Sequence, residues 1–186
     1  MKVVAALIVV VCLLSGCNNG QNDIKQAMDL RKHILESQGC TFQATVTADY
    51  DKTIYTFQMD CTIDSNGLLQ FTVTDPDTIS GITGNISKVQ SSLTFDDKVL
   101  AFPLLSEGLP TPVSGPWLFI NALRSGYLTG CSNDEGKLAI YLNDSYEENP
   151  LHLQIHTDEK CCPIYAEVIW QDRRVLSMDI RGFIIL

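Results

Sequence analysis

Strict alternation of apolar and polar residues between positions 40 and 73 limits the fold of this chain more than any other feature. The apolar members of the first segment are Phe42, Ala44, Val46 and Ala48. Those of the second and third are Tyr55, Phe57, Met59, Cys61 and Ile63, then Leu69, Phe71 and Val73. Such alternation is typical of antiparallel strands with one face on a core and the other in water. The sequence therefore predicts a three-stranded meander with a continuous apolar face.

A pair of cysteines lies at the outer ends of the first two predicted strands. If Ala48 faces Thr53 across the turn, Cys40 and Cys61 fall directly opposite each other. Opposed Cβ atoms are about 4.5 to 5.5 Å apart, which is near the reach of a disulfide. A register shifted by two residues keeps the same faces but separates the cysteines. The sequence thus predicts a candidate Cys40–Cys61 disulfide, with two buried reduced thiols as the alternative.

Two helices are predicted besides the strands. The first begins at a cap provided by Asn22 or Asp23 and stops at Gly39. Its apolar residues recur at helical spacing, at Ile24, Ala27, Met28, Ile34 and Leu35. The second helix, residues 117–123, is apolar nearly all round, which is typical of a helix buried on most sides. It follows a segment, residues 103–116, which contains four prolines and four apolar residues and which should lie against the core or cover a cavity.

These elements predict an α+β fold, in which a curved antiparallel sheet forms an incomplete, half-open β-barrel. Sheets of about ten strands tend to curl, and the N-terminal and mid-chain helices would pack on the concave side. The residues expected there are Trp117, Phe119, Ile120, Phe57, Phe71, Trp170 and Met178. A filled core and a cavity that accepts an acyl chain both fit this pattern.

The start of the chain predicts export. Lys2 precedes an aliphatic run over residues 3–14, and Leu14-Ser15-Gly16-Cys17 follows. The run is shorter than the roughly 20 apolar residues that span a bilayer. Leu-Ser-Gly-Cys resembles the lipobox of bacterial lipoproteins, in which the peptidase cuts before the cysteine and that cysteine carries the lipid. We therefore expect a signal peptide over 1–16, a lipidated Cys17 with a short tether over 17–22, and one domain over 23–186. This chain would be lipid-anchored on the extracytoplasmic face of the cell membrane.

Charge and motifs argue against several functions. Loss of Lys2 with the signal changes the formal net charge from −9 to −10, and no basic cluster occurs, so nucleic acid is not an expected partner. His152 and His156 share a strand face but lie about 13 Å apart, too far for one metal ion. There is no serine elbow and no CxxC motif, and the adjacent Cys161 and Cys162 fit a bridge to a partner such as Cys131 better than catalysis. We predict no catalytic residue, no metal site and no cofactor.

The order of elements resembles the LolA-like lipoprotein carriers: a lipobox, a first helix, an antiparallel meander, an apolar helix after a proline-rich segment and a final hairpin. The run 163–170, followed by 174–180 and Phe183, is similar to the GerS-like germination lipoproteins of clostridia. Resemblance to the carriers implies a cavity that holds acyl chains. Resemblance to the germination group implies that the chain binds and regulates a cortex-processing amidase. A permanently anchored chain does not fit the shuttle role. We therefore expect a non-enzymatic protein-binding or regulatory module, with binding of lipid or lipoprotein acyl chains as the alternative.

Overall fold

The computed structural model describes residues 18–106 and 109–186. The signal sequence and Cys17 lie outside the described residues, so the predicted lipidation remains a prediction. The helices are α1 (Asn18–Glu36) and α2 (Gly115–Ser125), and a 3-10 turn at Pro112–Ser114 leads into α2. The strands are β1 (Gly39–Asp49), β2 (Ile54–Asp64), β3 (Leu69–Asp75), β4 (Thr83–Ile86), β5 (Ser91–Phe95), β6 (Lys98–Ala101), β7 (Leu105–Ser106), β8 (Leu109–Pro110), β9 (Tyr127–Asp134), β10 (Lys137–Asn143), β11 (His152–Thr157), β12 (Pro163–Trp170) and β13 (Arg173–Ile185).

Eleven of these strands form one antiparallel sheet in the order β6-β5-β4-β3-β2-β1-β13-β12-β11-β10-β9. The predicted meander is β1 to β3, and β1 joins it to the C-terminal half of the sheet by pairing with β13. Within the described residues, β6 and β9 pair on one side only, so the curved sheet does not close. The predicted α+β fold, an open curved antiparallel sheet with two helices, is confirmed.

The register between β1 and β2 differs from the predicted one by two residues. Cys61 lies opposite Phe42, and Cys40 lies opposite Ile63. The strands are joined by a tighter turn than expected, because the Tyr50 N–H donates to the Thr53 carbonyl at 3.1 Å. Both cysteines keep the predicted buried face but are free thiols. The predicted Cys40–Cys61 disulfide is therefore wrong for this structure, and the alternative of two buried reduced thiols holds.

Helix α1 also departs from its prediction. It includes Asn18, four residues before the predicted cap at Asn22, so residues 18–22 form helical turns instead of the predicted tether. A cap signal marks a favourable start but does not stop a helix, and Gly20 costs only about 1 kcal/mol in a helix interior. One side of α1 packs on the core through Ala27, Leu30 and Ile34.

The predicted apolar stripe of α1 is divided between two faces. Ala27 and Ile34 are buried, whereas Ile24, Met28 and Leu35 are about half exposed. The reason is geometric: α1 contacts β9, α2, β1 and β10, and the side that carries Ala27, Leu30 and Ile34 is the one buried in the core. The helix thus keeps a second apolar face that the described residues leave about half exposed.

The β1–β2 register generates a direct prediction. In a chain with Cys40→Ala, the further change Phe42→Cys should form a disulfide with Cys61 on oxidation, because opposed residues have Cβ atoms about 4.5 to 5.5 Å apart. Intact-mass analysis after alkylation under denaturing conditions measures the bridge. The unmodified chain, in which Cys40 and Cys61 are diagonal, is the control. A bridge between Cys40 and Cys61 in that control would contradict the register.

Candidate functional site

The concave side of the sheet is filled by α2. Eight of its eleven residues are buried, from Gly115 to Ile120 together with Ala122 and Leu123. Phe119 is fully buried, with its ring centroid 5.7 Å from that of Phe42 and 6.1 Å from that of Phe183. Gly115 permits the close approach of α2 to β13, since a Cβ at that position would lie 2.9 Å from the Met178 sulfur. The helix therefore occupies the space where a ligand cavity would otherwise form.

The residues predicted for the concave side fall together in one core. Trp117, Phe119, Ile120, Phe57, Phe71 and Met178 are buried members of a single hydrophobic cluster. Trp170 is partly buried and packs against that cluster. Phe71 lies over Gly84, where an added Cβ would come within 2.6 Å of the ring, so the glycine makes room for the aromatic side chain. Of the two alternatives that the sequence left open, the structure shows a filled core at these residues.

Two side chains of α2 attach it to the turn between β2 and β3. The Trp117 indole Nε1–H donates to the Gly67 carbonyl at 3.1 Å. The Arg124 guanidinium donates to the Ser65 carbonyl at 2.7 Å. These bonds satisfy polar groups of a turn that has no ladder partner, and they fix the helix relative to the N-terminal half of the sheet.

Helix α1 holds the C-terminal end of α2. The Arg31 Nε–H donates to the Leu123 carbonyl at 2.8 Å, and a terminal N–H of Arg31 donates to the Gly126 carbonyl at 2.7 Å. A cation at a helix C-terminus interacts favourably with the helix dipole and satisfies carbonyls that lack an intrahelical partner. Burial lowers the pKa of Arg31 from its ordinary value. Sequence reasoning missed this residue, because the carbonyls that it binds are 92 and 95 positions away.

The proline-rich segment before α2 covers another part of the concave face. Leu104, Leu109 and Val113 pack against the core, and the Tyr50 hydroxyl donates to the Pro110 carbonyl. Burial raises the pKa of Tyr50 to about 12. This segment and α2 together leave little of the concave face open to solvent.

A cavity of about 370 Å³ lies between α1 and the ends of β12 and β13. Its floor is mostly apolar, with Leu30, Pro163, Phe183 and Ile185. Its remaining walls are Gln26, Asp29, His33, Lys160, Cys161 and Cys162. Pockets that bind small molecules span about 300 to 1,000 Å³, so this cavity is at the small end of that range.

The five cysteines among the described residues are free thiols, and two of them are buried. Cys131, Cys161 and Cys162 are free, so the expected bridge from Cys131 to this pair is not formed. The Cys162 thiol lies 3.7 Å from the Phe183 carbonyl, and burial raises its pKa, with a smaller contribution from Asp158. Burial also raises the pKa of Cys40 to about 12. Raised thiol pKa values oppose formation of the thiolate, which is the nucleophilic form.

The two histidines of β11 each have a side-chain neighbour. His152 Nδ1 lies 2.7 Å from the Asn143 side-chain oxygen, and the His156 ring packs on Tyr165. Among residues 18–106 and 109–186, no group of three or more His, Cys, Asp or Glu side chains could hold a metal ion. Neither α1 nor α2 has the length and apolar composition needed to cross a bilayer.

Among the neighbouring strand pairs from β1 to β6, the edge pair β5 and β6 has the most exposed apolar side chains. Val99 is 69% and Leu100 is 60% exposed, and Phe95 of β5 is half exposed. All four residues of β6 are exposed, so this strand is uncovered on both faces. At the opposite edge, by contrast, α1 lies beside β9.

Comparison with known proteins finds similarity at the level of structure. No protein-family model matches the chain, and no curated protein matches it. Similar solved structures include a LolA superfamily protein from Nitrosomonas europaea, with 8% identity over 90% of this chain and 93% of that one and a TM-score of 0.45. The lipoprotein LppX of Mycobacterium tuberculosis has 14% identity over 87% and 93% of the two chains, with a TM-score of 0.41. An uncharacterised conserved protein from Thermus thermophilus has 11% identity over 88% and 87%, with a TM-score of 0.48. At these identities and TM-scores the similarities do not indicate a ligand, a partner or an activity.

The contacts of Arg31 generate a stability prediction. Arg31→Met keeps the aliphatic stem but leaves two C-terminal carbonyls of the α2 end without their charged donor. We expect a loss of about 1.5 to 3 kcal/mol in the free energy of unfolding, as for hydrogen bonds to charged groups. Urea denaturation measures it. Lys32→Met is the matched control, because the one ion pair of Lys32, with Glu36 at 3.9 Å, is exposed to solvent. The change in its free energy of unfolding should stay within about 0.5 kcal/mol. Equal effects of the two changes would contradict the capping role.

Proposed function

We propose that this chain is a lipid-anchored, non-enzymatic protein-binding module of the cell envelope, and that its partner docks at the edge strand β6. One observation carries the proposal: the hollow of the sheet is filled by α2, whereas β6 is exposed on both faces. Because the interior is filled, we expect a partner to bind at the edge of the sheet. Lipidation of Cys17 and an extracytoplasmic location are parts of the same proposal and are supported by the lipobox-like Leu14-Ser15-Gly16-Cys17.

Strand β6 can accept another strand through its backbone. The Phe102 N–H donates to the Ser91 carbonyl of β5, and successive residues of a strand direct their N–H groups to opposite sides. The N–H groups of Val99 and Ala101 therefore point away from β5. Unpaired groups of this kind are the template to which an extended peptide adds.

A shallow pocket beside β6 could select a side chain of the added strand. It has a volume of about 350 Å³ and lies next to Ala101, between the turn at residues 87–90 and the start of the proline-rich segment. Phe102 and Leu104 form its apolar wall, and Lys88 lies at its rim. Main-chain pairing supplies affinity in strand addition, and such pockets supply specificity.

Charge favours a different protein over a second copy of this chain. Residues 75–102 contain four aspartates against two lysines, and the whole chain has a net charge of −9. Two copies placed edge to edge would repel each other, whereas a neutral or basic extended segment would not. The partner that fits is therefore a protein segment with apolar side chains and few acidic ones.

A test of the edge uses the change Val99→Pro, which removes an outward N–H without removing a bond to β5. The partner captured from detergent-solubilised envelope by the unmodified chain should be lost with Val99→Pro. It should be retained with the matched control Val99→Thr, which keeps the N–H and the strand preference. Hydrogen exchange at Val99 and Ala101 should slow in the isolated complex. Capture that is unaffected by Val99→Pro, or unchanged exchange at these two amides, would contradict docking at β6.

A second candidate function is binding of a lipid or another apolar ligand. The cavity beside α1, with its apolar floor at Leu30, Phe183 and Ile185, is the observation that favours it. Native mass spectrometry of the purified full chain should then show a co-purified lipid. Leu30→Trp, which fills the cavity, should reduce the bound fraction. Ligand-free protein at every preparation would exclude this candidate and leave the edge proposal unaffected.

The narrower assignments follow from the sequence resemblance alone. A role in germination, with an amidase of the cortex as partner, is one form that the β6 proposal can take. Its support is the similarity of residues 163–170 and 174–180 to the germination group. The edge experiment would identify such a partner directly.

A further inference from the structure

We propose that α1 lies flat on the membrane surface, with Ile24, Met28 and Leu35 in contact with lipid. This inference rests on the lipid anchor at Cys17 that is part of the proposed function. It adds an orientation: the anchored domain would be docked on the bilayer along α1 and would not hang from a flexible tether.

The exposed apolar residues of α1 form one narrow stripe, and the half-buried Arg31 lies on its core side between Met28 and Leu35. With 3.6 residues per turn, Ile24, Met28 and Leu35 fall within about 40° of arc around the helix. They are 47%, 49% and 51% exposed, respectively. The buried contacts of the helix, Ala27 and Ile34, lie on a different face, about 80 to 100° away. The stripe therefore does not belong to the core.

The start of the helix determines which surface this stripe meets. The helix includes Asn18, the residue directly after Cys17, so no unstructured tether separates the described domain from the predicted lipid anchor. Leu35 lies only about 26 Å along the axis from Asn18, at a rise of about 1.5 Å per residue. If α1 lies along the bilayer from this first described turn onward, its whole stripe is within reach of the headgroups.

Charge around the stripe agrees with a lipid surface. Lys25 and Lys32 lie on one side of it, about 60 to 80° from its centre, where they can reach phosphate groups. The two acidic residues of the exposed helix surface, Asp29 and Glu36, lie farther away, at about 100 to 120°, and Glu36 forms an exposed ion pair with Lys32 at 3.9 Å. Interfacial helices show this combination of an apolar face and flanking lysines. A second copy of this chain would present the same lysines to each other, so the bilayer is the favoured surface.

The two lipid contacts would cooperate. The lipid at Cys17 attaches the chain at one point. The apolar helical stripe next to it would add a second contact and fix the rotation of the domain. The edge strand β6 would then have a defined orientation relative to the bilayer.

The test places tryptophan at positions on and off the stripe of the full lipidated chain. Met28→Trp and Leu35→Trp report on the stripe, and His33→Trp on the opposite side of the helix is the control. The chains are reconstituted in vesicles of brominated phosphatidylcholine with phosphatidylglycerol. Quenching at 28 and 35 should exceed that at 33 by about twofold or more, since interfacial helices bury their apolar face about 5 to 10 Å deep. The fluorescence of the two native tryptophans, Trp117 and Trp170, is measured in the unmodified chain and subtracted from that of each variant.

A second measurement leaves every residue of α1 unchanged and so does not depend on a substitution within the helix. Peroxide should oxidise Met28 more slowly in the vesicle-bound chain than in the Cys17→Ala chain, which lacks the anchor. Met59 and Met178 are buried in the core and should be protected in both. Their protection confirms that each chain is folded.

The outcomes separate the anchor from the docked helix. Membrane-bound protein with equal quenching at positions 28, 33 and 35, and with no protection of Met28, would overturn the docked orientation but leave the anchor intact. An unmodified chain that does not associate with membranes would overturn both. Neither result decides whether a partner binds at β6, because that proposal is tested separately by capture of a protein partner.

Discussion

The packing of α2 into the hollow of the sheet is the contact on which the rest of this structure depends. An open sheet of eleven strands has one apolar face that it cannot cover by itself, and a helix that is apolar nearly all round can bury it. Trp117 and Arg124 attach this helix to the turn between β2 and β3, and Arg31 caps its C-terminal end. The helix is therefore part of the core, held by both halves of the sheet and by α1.

Filling the hollow has consequences for function. Eight of the eleven residues of α2 are buried in the hollow, and burial raises the pKa of the Cys40 and Cys61 thiols, which opposes formation of the thiolate. What remains accessible is the perimeter: the β6 edge, the small cavity beside α1 and the exposed stripe of α1. The proposed protein contact and the proposed membrane contact use two different parts of that perimeter.

Much of this fold follows from local sequence pattern. Alternation over residues 40–73 determines which side chains of β1 to β3 face inward, because the side-chain period of a strand is two. The register could not be derived in the same way, since a slip of two residues leaves every face unchanged. The turn at Tyr50 and Thr53 decides it, and this turn is tighter than the sequence suggested. Arg31 was not predictable either, because its role depends on where the end of α2 lies in space.

Hydrogen–deuterium exchange of the α2 amides tests the central claim most directly. If α2 is an integral part of the core, residues 119–125 should exchange as slowly as the central strands β1 and β13, through global unfolding. Exchange of α2 on the timescale of exposed loops, while β1 and β13 stay protected, would show instead that the helix is a lid that opens. That result would restore the hollow as a ligand site and contradict a permanently filled core.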